Sequence, residues 1–127
     1  MALFVPALAA LAEAAADTVS SELGQVIGGR PRMITTLRVV EPGRDGAISL
    51  AGTAAGVTAA VLVAAAGALA AGGGVRMFWM AAAGRIFGLL FDCVLGATLE
   101  QRGMLNNDAV NFLSTVSAVV MALILIR

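Results

Sequence analysis

The sequence predicts an all-α integral membrane helical bundle of about four transmembrane helices, with its polar clusters gathered at the cytoplasmic face. Three observations carry this. The chain is 60% hydrophobic and 13% charged, with a mean hydropathy of +0.95, whereas a soluble domain is about 45–50% apolar and about 25% charged. Residues 46–75 and 109–126 contain no charged side chain, and roughly 20 apolar residues span the ~30 Å hydrocarbon layer. Polar, glycine-rich stretches punctuate the apolar runs at 25–46, 72–76 and 100–107. The predicted spans are 2–23, 47–71, 77–99 and 108–126, in one transmembrane domain covering residues 1–127.

The first span is alanine-rich and a good helix former, with Pro6 near its start, where a helix tolerates proline best. A cleaved leader over 1–16 fits less well, because a positive leading segment is missing and Glu13 falls at the cleavage region. Glu13 and Asp17 are four apart, hence on one face, which Ser20, Ser21 and Gly24 continue. Glu22 points elsewhere and reads as a snorkelling terminus. Glu13, a dozen residues in, reads as facing a protein interior.

Residues 25–46 hold Arg30, Arg32, Arg38 and Arg44, half of the basic side chains. Arginine-rich loops stay cytoplasmic, which orients the chain. Residues 33–40 are β-branched and suit a short extended segment. The run 42–46 is a turn signal, after which Ser49 can cap the second span. In that span Gly52, Gly56, Ala60 and Ala64 form a small-residue stripe of the kind that lets membrane helices approach closely. The third span has a similar stripe at Gly84, Gly88 and Gly96 and also carries Arg85 and Asp92, seven apart on one side. An ion at the bilayer centre costs ~2.5–3.5 kcal/mol on insertion scales, so neither side chain should face lipid. Mutual neutralisation, with Glu13 as a third member, is the plain reading. Residues 106–108 cap the fourth span, whose first turns show a polar stripe of Asn107, Asn111 and Ser114 beside Asp108 and Thr115. Alternation of spans then places four polar clusters, 17–24, 42–49, 92–100 and 106–115, at the same membrane face.

Composition excludes several chemistries. All eight basic residues are arginine, and histidine and tyrosine are absent. Lysine-dependent phosphate loops, Schiff bases and histidine triads or metal sites are therefore ruled out. Net charge is zero, which leaves no global attraction to nucleic acid. The lone Cys93 forms no intrachain disulfide. What converges instead is a set of carboxylates, carboxamides and hydroxyls beside arginines and a glycine turn at a helix start. Mg²⁺ is commonly held by one or two carboxylates with substrate phosphates. A helix N-terminus offers free N–H groups to an anion, and arginine clamps phosphate. This combination suits phosphoryl transfer to a lipid at the interface.

Five motifs in order sharpen the reading. They are Ala16-Asp17-Thr18 with Ser21-Glu22-Leu23-Gly24; Pro31 with Ile34-Thr35-Thr36; Pro42-Gly43 with Gly46 and Ser49; Leu95-Gly96-Ala97-Thr98-Leu99 after Asp92; and Asn106-Asn107-Asp108 with Asn111-Phe112-Leu113-Ser114. Together they resemble the membrane protein family that includes plant phytyl-phosphate kinase and uncharacterised bacterial, archaeal and animal members. The resemblance implies a polytopic helical protein of the cell membrane whose site faces the cytoplasm. Its characterised branch converts an isoprenyl monophosphate, of phytyl or geranylgeranyl type, to the diphosphate with a nucleoside triphosphate, CTP. On that reading Asp17, Asp92 and Asp108 are candidate catalytic residues. Asp17, Glu22, Asp92 and Asp108 are candidate Mg²⁺ ligands. Arg38, Gly43, Arg44, Gly46, Ser49, Asn107 and Asn111 are candidate substrate and phosphate contacts. The implied partners are the lipid bilayer and the isoprenyl phosphate. Two departures stand out. The family turn reads Pro-Gly-Thr-Asn-Gly-Gly where this chain has Arg44, Asp45 and Ala47. The motifs also match the C-terminal half of the family pattern, whose further N-terminal helices are absent here; the expectation is one half of an enzyme, completed by a missing N-terminal half or by a homodimer. Intramembrane Glu13, Arg85 and Asp92 also fit a transport subunit, against which the clustering of polar residues at one face argues, and a non-catalytic membrane subunit is the third reading.

Overall fold

The computed structural model describes residues 3–127. Four long helices, α1 (Phe4–Ile27), α2 (Leu50–Ala70), α3 (Gly74–Leu95) and α4 (Asn107–Ile126), make the bundle. The last turn of α3 widens into a π-helical turn, Gly96–Glu100. Three of these helices, Leu50–Ala70, Gly74–Glu100 and Asn107–Ile126, are long and apolar enough to cross a membrane. Glu13 and Asp17 dilute the apolarity of α1, which has a comparable length of 24 residues. The expected first span ends too early: α1 runs on past Leu23 to Ile27, and the amide of its cap Gly28 donates to the Gly24 carbonyl. The expected start at Ala2 lies outside the described residues. The other boundaries shift by a few residues, as helix ends commonly do.

Lipid tails are as apolar as leucine, so close packing rather than hydrophobic burial holds such helices together. The small-residue stripes make that packing possible. On α2, Gly52, Gly56, Ala60, Ala64 and Ala68 are buried. A Cβ on Gly52 would come within 2.7 Å of the Ser20 carbonyl, and one on Gly56 within 2.8 Å of the Ala16 carbonyl. On α3, Gly84 plays the same part against the Ala118 carbonyl at 2.8 Å. α1 touches all three other helices, α3 and α4 pack together, and α2 leans on α1, touches α3 less and barely meets α4. Leu62, Leu69, Trp79 and Ile124 are among many large apolar side chains left on the outside, where lipid is their solvent.

An apolar cluster of Val5, Leu8, Ala9, Ala64, Ala68, Met77, Ala81 and Ala122 closes one half of the bundle. It draws on the start of α1 and α3 and the end of α2 and α4, so it lies at one end. Glu13 accepts hydrogen bonds from Ser114 Oγ (3.0 Å) and Thr115 Oγ1 (2.7 Å), tying α1 to α4 above that cluster.

At the other end the loop 28–49 folds back over the helix termini. The extended segment expected over 33–40 is instead a tight return. Met33 N–H donates to the Arg38 carbonyl (2.9 Å) and Leu37 N–H to the Met33 carbonyl (2.8 Å), with Leu37 at φ 57°. Strand β1 (Arg32–Met33) pairs, antiparallel, with β2 (Ala47–Ile48), in the register Arg32 to Ile48, and of the expected extended segment Val39 forms an isolated antiparallel bridge to Arg32. Pro31 and Met33 are the buried anchors of this loop. Ser49 then caps α2 by accepting from the Gly52 amide at 3.0 Å, and Asn106 caps α4 by accepting from the Ala109 amide at 2.9 Å.

Candidate functional site

A cavity of about 480 Å³ opens at the loop-covered end of the bundle. Its wall is polar and comes from all four helices and the loop. Asp17, Ser20, Glu22 and Gly24 come from α1, and Ser49 and Thr53 from the start of α2. Asp92 and Cys93 come from the end of α3, Asn107 and Asn111 from the start of α4, and Gly43, Arg44, Asp45 and Gly46 from the loop. The four polar clusters expected at one face therefore do meet. They surround a single space because α1 and α3 end, and α2 and α4 begin, at the same end of the bundle.

Of the candidate residues, Asp17, Glu22, Asp92, Gly43, Arg44, Gly46, Ser49, Asn107 and Asn111 line this cavity. Arg38 and Asp108 are not part of the lining; both are exposed, Arg38 on the return of the loop and Asp108 in the first turn of α4. Glu22, expected to point elsewhere, joins the wall because α1 continues beyond it. The sequence reading missed Gln25, Asp45 and Glu100, which also line the cavity. Glu100 arrives through the π-helical turn, which no residue pattern announces. Asp45 was legible as the departure from the family turn.

The loop is held in place by specific contacts. Gly46, at φ +74°, lies directly against Ala97, so that a Cβ there would fall on the Ala97 backbone nitrogen and Cβ. Gln101 Nε2 donates to the Asp45 carbonyl at 2.8 Å and contacts Met33 Sδ at 3.5 Å. Ile34 N–H donates to the Gly46 carbonyl at 3.1 Å. The turn 42–46 is thereby fixed over the N-terminus of α2.

Below the cavity sits a second polar layer. Arg85 and Glu13 are each 1% exposed. The expected neutralisation of Arg85 by Asp92 is not made through the buried atoms: Arg85 Nε and Nη2 and Asp92 Oδ1 have no hydrogen-bond partner. The Arg85 guanidinium instead reaches toward Gly56 of α2, where a Cβ would stand 3.2 Å from Nη2. Glu13 is taken by the two hydroxyls of α4. A buried carboxylate oxygen without a donor, in the wall of a cavity with further carboxylates, is the kind of group a hard cation satisfies. Among the described residues no three acidic side chains stand close enough to cage a metal by themselves. Asp17 and Asp92 offer oxygen donors of the kind Mg²⁺ takes when it keeps waters and shares substrate oxygens.

The bundle is thus a helical membrane protein with a carboxylate-rich cup at one end, covered by a glycine-hinged loop. Comparison with known proteins gives the particular family: the model of the integral membrane protein family DUF92 matches residues 1–119, and the chain belongs to it. It is 44% identical over 109 residues to an uncharacterised membrane protein of Methanocaldococcus jannaschii, covering 86% of this chain and 45% of that one. It is 36% identical over 103 residues to an uncharacterised membrane protein of Synechocystis, covering 78% and 39%. It is 32% identical over 101 residues to the chloroplastic protein VTE6 of Arabidopsis thaliana, covering 77% and 30%. The chain therefore spans less than half the length of these relatives. No solved structure matches it.

Proposed function

We propose that this chain forms the nucleotide- and phosphate-handling part of a kinase that phosphorylates an isoprenyl monophosphate, of phytyl or geranylgeranyl type, at the cytoplasmic membrane surface. The supporting observation is the cavity itself, which brings Asp17 and Asp92 together with the Gly43–Gly46 turn, Arg44 and the capped N-terminus of α2. The motif resemblance to the phytyl-phosphate kinase family supports the same reaction class. CTP is the donor implied by that resemblance. The chain spans less than half the length of its relatives; the remainder of the enzyme is a further portion, N-terminal as the motif resemblance implies, or a second copy of the chain.

The terminal phosphoryl group passes from the nucleotide to an oxygen of the acceptor monophosphate, leaving a nucleoside diphosphate and an isoprenyl diphosphate. Mg²⁺, when bound, neutralises charge on the transferring group. Asp17 and Asp92 supply its protein ligands. The amides at the start of α2 and the Arg44 guanidinium orient phosphate oxygens. Asn107 and Asn111 donate carboxamide hydrogen bonds from the facing wall. Positioning and charge compensation are all that such a transfer asks of the protein, so the absence of lysine is no obstacle. Transport is the weaker reading, because the polar layers stop at the apolar cluster around Leu8, Met77 and Ala81.

The test is conversion of geranylgeranyl monophosphate with CTP and Mg²⁺ in nanodiscs. The chain is assayed alone and reconstituted with the N-terminal portion of the archaeal relative. Diphosphate should form, stop on chelation of the metal, and fall by at least about 100-fold in Asp92→Asn, in line with the loss of several kcal/mol of charge stabilisation. Product no greater than in Asp92→Asn overturns the assignment.

A further inference from the structure

Among the helices, the cavity wall has large apolar side chains on α3 alone, where Leu89 and Leu90 line it; its other apolar lining residues, Pro31, Ile34, Pro42, Ala47 and Ile48, belong to the covering loop. Leu90 is also 52% exposed, and its neighbours one turn to either side, Ile86 and Val94, are exposed and lie outside the cavity. Residues at i, i+4 and i+8 share one helix face, so Leu90 belongs at once to the lipid-facing strip of α3 and to the cavity rim. The opposite side behaves in the same way. Thr53 of α2 lines the cavity, while Val57, one turn deeper, is exposed and outside it. Between these two edges α2 and α3 touch little, since α2 is drawn onto α1 by its glycine stripe. At 1.5 Å per residue Leu90 lies about 15 Å along the axis from Glu100, well below the headgroup level of a ~30 Å hydrocarbon layer.

We propose that the cavity has a lateral portal between α2 and α3. A membrane amphiphile enters through it, with its anionic phosphate head among Arg44, Ser49 and Asn111 and the first carbons of its chain against Leu89 and Leu90. The rest of the chain stays in the bilayer. This rests on the kinase reading for the identity of the head, but not for the route. An apolar tail in water would cost ~0.8 kcal/mol per CH₂, so a side entrance spares a long-chain substrate from leaving the membrane. The portal also makes branching near the phosphate, rather than chain length, the feature that the protein senses. A second apolar groove, lined by Phe87, Phe91, Leu113, Val116 and Val120, lies on the outer face of α3 and α4. Its one polar lining residue, Ser117, already donates its hydroxyl to the Ser114 carbonyl, so the groove carries no charged group for the head to bind.

The test uses a geranylgeranyl monophosphate analogue with a diazirine on the second isoprene unit, photolysed in nanodiscs containing the full chain. Crosslinks should fall on Leu89, Leu90 or Thr53 and be suppressed by unlabelled geranylgeranyl monophosphate. Leu90→Trp should cut crosslinking at least about 10-fold, and Val120→Trp, on the outer face of α4 and away from the cavity, should leave it within about 2-fold. Labelling confined to Phe87, Phe91 or Val116, or unchanged by Leu90→Trp, overturns the portal. The outcomes separate the two ideas. Competed crosslinks at Leu90 without diphosphate formation leave the portal standing and remove the kinase assignment; turnover with crosslinks elsewhere does the reverse.

Discussion

Gly46→Ala is the sharpest probe of how the loop is seated. Two effects act there and can be separated within the same loop. Gly29, Gly43 and Gly46 all have positive φ, at 65°, 85° and 74°. For alanine the left-handed conformation costs about 1–2 kcal/mol, partly offset by a less flexible unfolded chain. Gly29 has open space where a Cβ would stand, so Gly29→Ala reports that conformational cost alone. At Gly43 a Cβ would meet only the flexible Gln25 side chain at 3.2 Å, which can swing aside. At Gly46 it would fall on the Ala97 backbone, which cannot. Overpacking of that kind adds about 1–3 kcal/mol. The amide of Ile34, bonded to the Gly46 carbonyl, reports docking directly. At about 1.4 kcal/mol per factor of ten, hydrogen exchange at Ile34 should be about 5- to 150-fold faster in Gly46→Ala than in Gly29→Ala. Gly43→Ala should resemble Gly29→Ala. Equal exchange in Gly46→Ala and Gly29→Ala would refute the seating of the loop on Ala97.

Thr115→Val should lower stability in bicelles by about 1 kcal/mol, the usual worth of an interhelical hydrogen bond in a membrane, because it removes one of the two hydroxyls holding Glu13. Thr58→Val, whose hydroxyl bonds only within its own helix to Ala54, should change equilibrium unfolding by less than about 0.5 kcal/mol; similar losses in both would show that Glu13 is not a tie between α1 and α4. Gln101→Ala should release the Asp45 carbonyl and, at about 1 kcal/mol for one hydrogen bond, speed tryptic cleavage after Arg44 about 5-fold by mass spectrometry. An unchanged cleavage rate would mean that Gln101 does not hold the turn.

The helices were legible because uncharged runs of membrane length leave little choice, and the convergence of polar clusters followed from counting spans. Much of the cavity wall was legible for the same reason: Asp17, Ser49 and Asn107 stand near the ends of apolar runs, and Asp92 is a charge inside the third. What escaped the sequence depends on side chains choosing among partners at similar depth. Glu13, Arg85 and Asp92 suggested an ion cluster, yet Glu13 pairs with hydroxyls of α4 that lie 101 and 102 residues away. The polar stripe of the fourth span did single out Ser114 and Thr115, but nothing local names Glu13 as their partner. Gln101 and Glu100 enter only because the helix carries an extra residue in its final turn, and the extension of α1 was hidden by Gly24, which reads as a stop but serves as a contact with Gly52.

The apolar cluster at the closed end has an electrical consequence. A cup open to water or headgroups on one side conducts ions locally, so its floor sits near the potential of that side. The membrane voltage then falls mainly across Val5, Leu8, Met77, Ala81 and Ala122, a dielectric thinner than the bilayer. Moving one charge through a full 100 mV costs about 2.3 kcal/mol. A charge that travels only from the surface to Asp17 crosses little of that drop. The cup is thus insulated from membrane potential, while Arg85 and Glu13, nearer the plug, are the charges that would feel it.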